Sequence, residues 1–84
     1  MAADQAVGVR AVVEIVARAL ADKPGAVEVT EYDRRGTLVI GLRTAPVDLG
    51  KIIGRQGRTA AALRTLVTLA AERQGIRAQL DIQD

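Results

Sequence analysis

Apolar positions along the chain fall into runs whose period switches between helix and strand spacing. From residue 5 to residue 22, Val9, Val12, Val13, Val16, Ala19 and Leu20 recur at i, i+3, i+4 and i+7, the spacing that gathers side chains on one side of a helix. Arg10, Glu14 and Arg18 recur every four residues on another side, where Glu14 can pair with Arg18. Lys23-Pro24-Gly25 ends the run, because Pro24 disfavours helical backbone at the residue before it. Residues 26–33 alternate, with Val27 and Val29 set against Glu28 and Thr30, and predict a strand. Asp33-Arg34-Arg35-Gly36 is a hairpin signal, with Gly36 free to take positive φ.

A second strand is predicted over residues 37–43, with Leu38, Ile40 and Leu42 on the core side and Thr37, Val39, Gly41 and Arg43 facing outward. Asp48 reads as the N-cap of a short helix from Leu49 to Ile53. A tight turn at Gly54–Gly57 follows, then a longer helix over residues 58–74 with Leu63, Leu66, Val67 and Ala70 inward, closed by Gly75. Residues 76–82 alternate again, with Ala78, Leu80 and Ile82 inward, as a last strand. The order α-β-β-α-α-β predicts an α+β fold in which three helices cover one face of a three-stranded mixed sheet. The hairpin makes the first pair antiparallel, and the helical crossover makes the last strand parallel to the second.

Composition narrows the chemistry. The chain has 84 residues and reads as a single domain over 1–84. A chain of that size buries only about 60–65% of its unfolded surface. Its core must come from Val, Leu, Ile and Ala, because Tyr32 is the one aromatic residue. There is no cysteine for a disulfide or thiolate site, and no histidine, the commonest general base and metal ligand. The acidic residues are scattered without a paired catalytic setting. The expectation is therefore no enzyme, no metal and no cofactor. No run approaches the ~20 apolar residues of a membrane span, and no signal peptide is legible; a cytoplasmic protein with no membrane association is expected.

The net charge is only +2, but it is unevenly spread. Between Asp48 and Glu72 there is no acidic residue, while Lys51, Arg55, Arg58 and Arg64 fall inside that window. The rest of the chain carries eight basic against ten acidic residues. A local positive patch on a slightly acidic body suits a polyanion.

That window contains the run Asp48-Leu49-Gly50-Lys51-Ile52-Ile53-Gly54-Arg55-Gln56-Gly57-Arg58-Thr59. Two glycines bracket two polar residues between two helices. Glycine permits positive φ and lets another backbone approach. The amides opening the next helix present the positive end of its dipole, and Arg55, Arg58 and Lys51 add full charges. Together these features can hold a phosphodiester backbone. The P-loop pattern, with Lys followed by Ser or Thr after its last glycine, is missing, and Gly50 is wrongly placed for a dinucleotide-binding pattern.

Ile53-Gly54-Arg55-Gln56-Gly57 resembles the Ile-Gly-x-x-Gly core of KH domains, whose loop holds about four nucleotides of a single strand. The element order resembles the type II form. With Ala62-Leu63-Arg64-Thr65-Leu66 after it, the longer run is similar to the small bacterial single-KH proteins of the KhpA group. The resemblance implies single-stranded RNA as ligand, with Gly54 and Gly57 shaping the clamp and Arg55 and Gln56 over phosphates. Ile52 and Ile53, with Leu42 or Val39, would line or support an apolar groove for bases, and Lys51, Arg58 and Arg64 would form its rim. It also implies homodimers, a larger KH-containing partner, RNA chaperoning, and a link to cell shape and cell-wall synthesis. Ala60 departs from the large aliphatic residue usual three positions after the second glycine, which implies a shallower groove or closer helix packing.

Two other classes compete. A helix-turn-helix DNA-binding module fits two helices joined by a glycine-containing turn, but Arg58-Thr59-Ala60-Ala61-Ala62 offers few side chains to read base edges. An interaction or dimerisation module would use exposed apolar residues of the first helix such as Ala11 and Ile15. Arg34 and Arg35 read as a solvated turn, and Tyr32 as packing.

Overall fold

The computed structural model describes residues 8–84. Helix α1 spans Val9–Leu20, strands β1 and β2 span Glu28–Arg34 and Thr37–Arg43, α2 spans Pro46–Ile53, α3 spans Arg58–Arg73, and β3 spans Arg77–Gln83. The sheet order is β1-β2-β3, with β1 antiparallel and β3 parallel to β2. The α1 periodicity holds, with Val9, Val13 and Ala17 buried and Glu14 paired with Arg18 at 3.1 Å. The expected start at residue 5 lies outside the described residues, and the helix stops at Leu20, not 22. A 3-10 turn at Pro24–Ala26 delays β1 to Glu28.

The β1–β2 connection is tighter than the four-residue signal suggested. Only Arg35 and Gly36 lie between the strands, at φ +51° and +87°. Two positive-φ residues in a two-residue loop match the right-handed twist of the strands they join.

Register separates the faces of the sheet. Val29, Ile40, Leu42 and Leu80 point into a core shared with Val9, Val13, Ala17, Val27, Ile52, Leu63, Val67 and Ala71. α1 lies over β1 and β2, α3 lies over β3, and both α1 and α2 pack on α3. Thr37, Val39, Gly41 and Arg43 take the opposite face, as alternation requires. Val39 is nevertheless only 1% exposed and Gly41 is buried, contrary to their expected outward exposure. β2 is the central strand, so side chains of β1 and β3 close over it. A Cβ at Gly41 would meet Thr30 Oγ1 at 2.8 Å and Gln83 Nε2 at 3.0 Å.

Helix α3 buries Ala60, Leu63, Val67 and Ala71. Leu66 and Ala70 were expected inward as well, but Leu66 is 42% exposed and Ala70 only partly covered. The buried stripe follows i, i+3, i+7, i+11, and Leu66 falls outside its arc. The helix ends in a Schellman motif. Gly75 at φ +69° donates to Glu72 O, and Ile76 N donates to Ala71 O at 3.0 Å.

Asp48 is not an N-cap. Helix α2 begins at Pro46, whose missing N–H costs nothing at a first turn, and Asp48 is its third residue. The side chain is fully buried and reaches across the fold. Oδ1 accepts from Asp22 N at 3.0 Å and Oδ2 from Lys23 N at 2.9 Å. Both oxygens thus satisfy backbone donors where the chain leaves α1, and they tie that exit to α2. These two bonds hold the Asp48 pKa below its ordinary 3.8, against the opposing effect of burial, with Lys51 and Lys23 assisting. A depressed carboxylate pKa contributes stability that is complete above the unfolded value and is lost as pH falls through the folded one. Asp48→Asn puts an amide NH2 against a backbone N–H. Thermal melts followed by circular dichroism should show a lower Tm than wild type at pH 7, with the gap closing below about pH 3.8 as wild type loses its own charge. A gap independent of pH would contradict the assignment.

Candidate nucleic-acid interface

Between α2 and α3 the chain turns through Gly54-Arg55-Gln56-Gly57. Gly54 takes φ +77° and ψ 169°, Gln56 takes φ +57° and ψ 25°, and Gly57 takes φ +73° and ψ 13°. The turn is held by Gly54 N donating to Gly50 O at 2.8 Å and Gly57 N donating to Gly54 O at 3.1 Å. The glycines are required for different reasons. A Cβ at Gly54 would sit 2.6 Å from Thr59 Cβ and 2.9 Å from Thr59 N, so α3 can approach α2 only where no side chain intervenes. A Cβ at Gly57 would meet nothing, and only its positive φ favours glycine. Gln56 adopts the left-handed region without being glycine, at a cost of about 1 kcal/mol or more. A strained polar residue at the tip of a turn is where ligand contacts are commonly found.

Helix α3 starts on backbone bonds alone, Arg58 N donating to Arg55 O within the turn. Its N-cap is Gly57, no side chain caps its amides, and no acidic residue lies in its first turn. Arg58 stands there instead, where a cation opposes the helix dipole. The helix start is therefore electropositive twice over, and an anion would relieve it.

The residues singled out in the sequence separate by burial. Arg55, Gln56, Arg58 and Arg64 are exposed, and Gly54 and Gly57 partly so. Among the described residues, none of these three arginines takes part in an ion pair. Lys51 does: its Nζ pairs with Asp22 at the exit of α1. Arg58 and Arg64 are six residues apart on α3, roughly 120° around the helix and ~9 Å along it, so they do not share an edge. Ile53 is 40% exposed, whereas Ile52 and Leu42 lie out of solvent and can only support a groove; Val39, on the opposite face of the sheet, takes no part in one. Ala60 is buried, so its small side chain serves the packing of α3 and not an open groove floor.

Sequence reasoning missed three participants. Thr59 is the residue that Gly54 must clear, and Asp22 is the partner of Lys51. The third is the outward face of α2, where Pro46, Gly50 and Ile53 fall at i, i+4 and i+7 and are all exposed. A Cβ at Gly50 would meet nothing within 4 Å, so open space lies beside Ile53. The i, i+4, i+7 spacing was the available signal, hidden by placing the helix start at Leu49.

Comparison with known proteins shows the family. The family model described as "KhpA/KhpB, KH domain" matches residues 10–82. A protein of Halalkalibacterium halodurans named RNA-binding protein KhpA is 49% identical, covering 89% of this chain and 99% of its own length. Proteins of the same name from Caldanaerobacter subterraneus and Aquifex aeolicus are 47% and 46% identical, over 83% and 84% of this chain and 93% and 90% of theirs. Among solved structures, a crystal structure of an Aquifex aeolicus Era variant bound to GDP.AlF4- superposes on 88% of this chain and 29% of that one, with a TM-score of 0.62 and 17% identity, a likeness of fold. With a family model spanning nearly all the described residues and relatives close to half identical, the chain belongs to the KhpA/KhpB family of KH-domain proteins.

Proposed function

We propose that this protein binds single-stranded RNA without transforming it, gripping the backbone at Gly54–Gly57. The uncapped, cation-bearing start of α3 behind that turn carries the reading. Phosphates sit over Arg55 and Gln56 and against the first amides of α3, with Arg58 beside them and Lys51 and Arg64 further out. Bases rest on the outward face of α2, where Ile53 supplies apolar contact and Gly50 leaves room. Relatives named RNA-binding protein KhpA support the choice of RNA. A helix-turn-helix module would explain α2 and α3 but leaves the sheet without a purpose, and family membership argues against it.

One small domain grips few nucleotides, so affinity is modest and a second copy or a larger KH-containing partner would raise it by avidity. The exposed apolar residues Ile15 on α1 and Leu66 and Leu69 on α3 are available for such contacts. The wider role is that of a cytoplasmic RNA chaperone or post-transcriptional regulator, which the family resemblance links to cell shape and cell-wall synthesis. Among the described residues no helix is long and apolar enough to cross a membrane.

Three measurements test this reading. Arg55→Asp combined with Gln56→Asp should lower affinity for single-stranded RNA by roughly tenfold or more, with an unchanged circular dichroism spectrum and Tm; unaltered affinity in the folded variant refutes the clamp. Neutralising about two or three phosphates gives a slope of roughly −1.5 to −2 in log K against log salt, and a flat dependence would remove the phosphate contacts. Gly50→Ala should stabilise α2 by about 0.5–1 kcal/mol while weakening RNA binding. A stabilised variant with full affinity would show that bases do not use that face.

A further inference from the structure

We propose that the face of the sheet turned away from the helices carries a second contact for single-stranded RNA, in which Tyr32 stacks a base and Arg34 and Arg77 hold the neighbouring phosphates. The inference rests on the RNA-binding reading above but not on the turn at Gly54–Gly57, because the helices and that turn lie across the sheet from this face.

The placement of the one aromatic ring is the first observation. The chain has a single Tyr and no Phe or Trp, yet its core closes on Val, Leu, Ile and Ala without it. Tyr32 is 43% exposed, on β1, in register with Val39. Its expected packing role is therefore confined to its place beside Val39 on the open face. Its ring is also fixed in place. Arg34 Nη2 donates to the Tyr32 hydroxyl at 2.8 Å, and its guanidinium carbon lies 5.5 Å from the ring centroid. An exposed ring held by an arginine is a stacking plate for a base of any identity, and exposed aromatics on an open sheet are a known means of binding unpaired RNA.

Charge is the second observation. Register aligns Arg34, Thr37 and Arg77 in one row across the three strands, next to the row Tyr32, Val39 and Gln79. These two rows carry two cations and no anion, with Arg35 following in the turn. The other two rows of the same face carry Glu28 and Asp81 against Arg43. Among the described residues Arg34, Arg35 and Arg77 enter no ion pair. The face is thus polarised, positive where the ring stands, and its remaining side chains there are Thr37, Gln79 and the covered Val39. That surface is too polar for an apolar protein patch and suits a polyanion that also offers flat rings.

The single tyrosine makes the test site-specific, because intrinsic emission reports Tyr32 alone. The full chain is titrated with poly(U) and with a uridine tetranucleotide, which the turn at Gly54–Gly57 alone would fill, with emission corrected for RNA absorbance and binding followed separately by anisotropy of labelled RNA. Poly(U) should quench Tyr32 both in wild type and in the Arg55→Asp/Gln56→Asp variant, and the tetranucleotide should bind wild type without quenching. Tyr32→Ala should weaken poly(U) binding by roughly tenfold, the worth of one stacked base, and leave tetranucleotide binding unchanged; Arg77→Glu should remove the quench in the clamp variant. Saturation of wild type with poly(U) at constant emission overturns the proposal, as does emission that changes with protein concentration in the absence of RNA, which assigns the face to a second copy. Quenching that persists while the clamp variant binds as tightly as wild type would refute the turn and leave this face standing; no binding by wild type refutes both.

Discussion

The close approach of Thr59 to Gly54 is the constraint on which the site depends. With no Cβ at residue 54, the start of α3 comes against the end of α2, and the turn between them shrinks to three residues. The turn's own carbonyls take the amides of Gly57 and Arg58, no side chain caps the amides that follow, and the two polar residues of the turn are exposed at its tip. Every functional assignment at this end of the molecule follows from that geometry. A single added methyl group at residue 54 would meet both the side chain and the backbone of Thr59.

A turn of this kind positions a ligand only if the helix before it is fixed, and Asp48 does the fixing. Its two carboxylate oxygens take the backbone donors of Asp22 and Lys23, so α2 is pinned to the exit of α1 by charge-assisted bonds in a fully buried place. Ile52, one turn further along α2, anchors the same helix in the core. Lys51, between them, points outward and pairs with Asp22. One acidic side chain thus organises the connection and another tempers the positive charge beside the turn. Rigidity beneath, openness above: α2 is held on the side opposite its exposed Pro46, Gly50 and Ile53.

Much of this was legible in the residues. Apolar periodicity placed three helices and three strands, and the lengths of the connections fixed antiparallel and parallel pairing. The glycine pair and the acid-free window located the turn. What was not legible has a common cause: it depends on neighbours distant in the chain. Asp48 reads locally as a cap, but its partners are 25 and 26 residues away. Val39 reads as outward, and it is, but the flanking strands cover it. Leu66 satisfies helical periodicity on paper, yet the arc that α3 presents to the sheet is narrower than the pattern allows. Tyr32 reads as packing because a lone tyrosine on a strand usually is, whereas it stands 43% exposed on the open face and the aliphatic side chains fill the core alone.

On the proposed reading, RNA meets this protein at the bend between α2 and α3. It is tested most directly by amide chemical-shift mapping in 15N-labelled protein during titration with a uridine tetranucleotide. The largest shifts should fall on Ile53 through Thr59, with the core amides of α1 and β2 unmoved. Saturating RNA that leaves the amides of Gly54 to Thr59 in place while shifting others would contradict it.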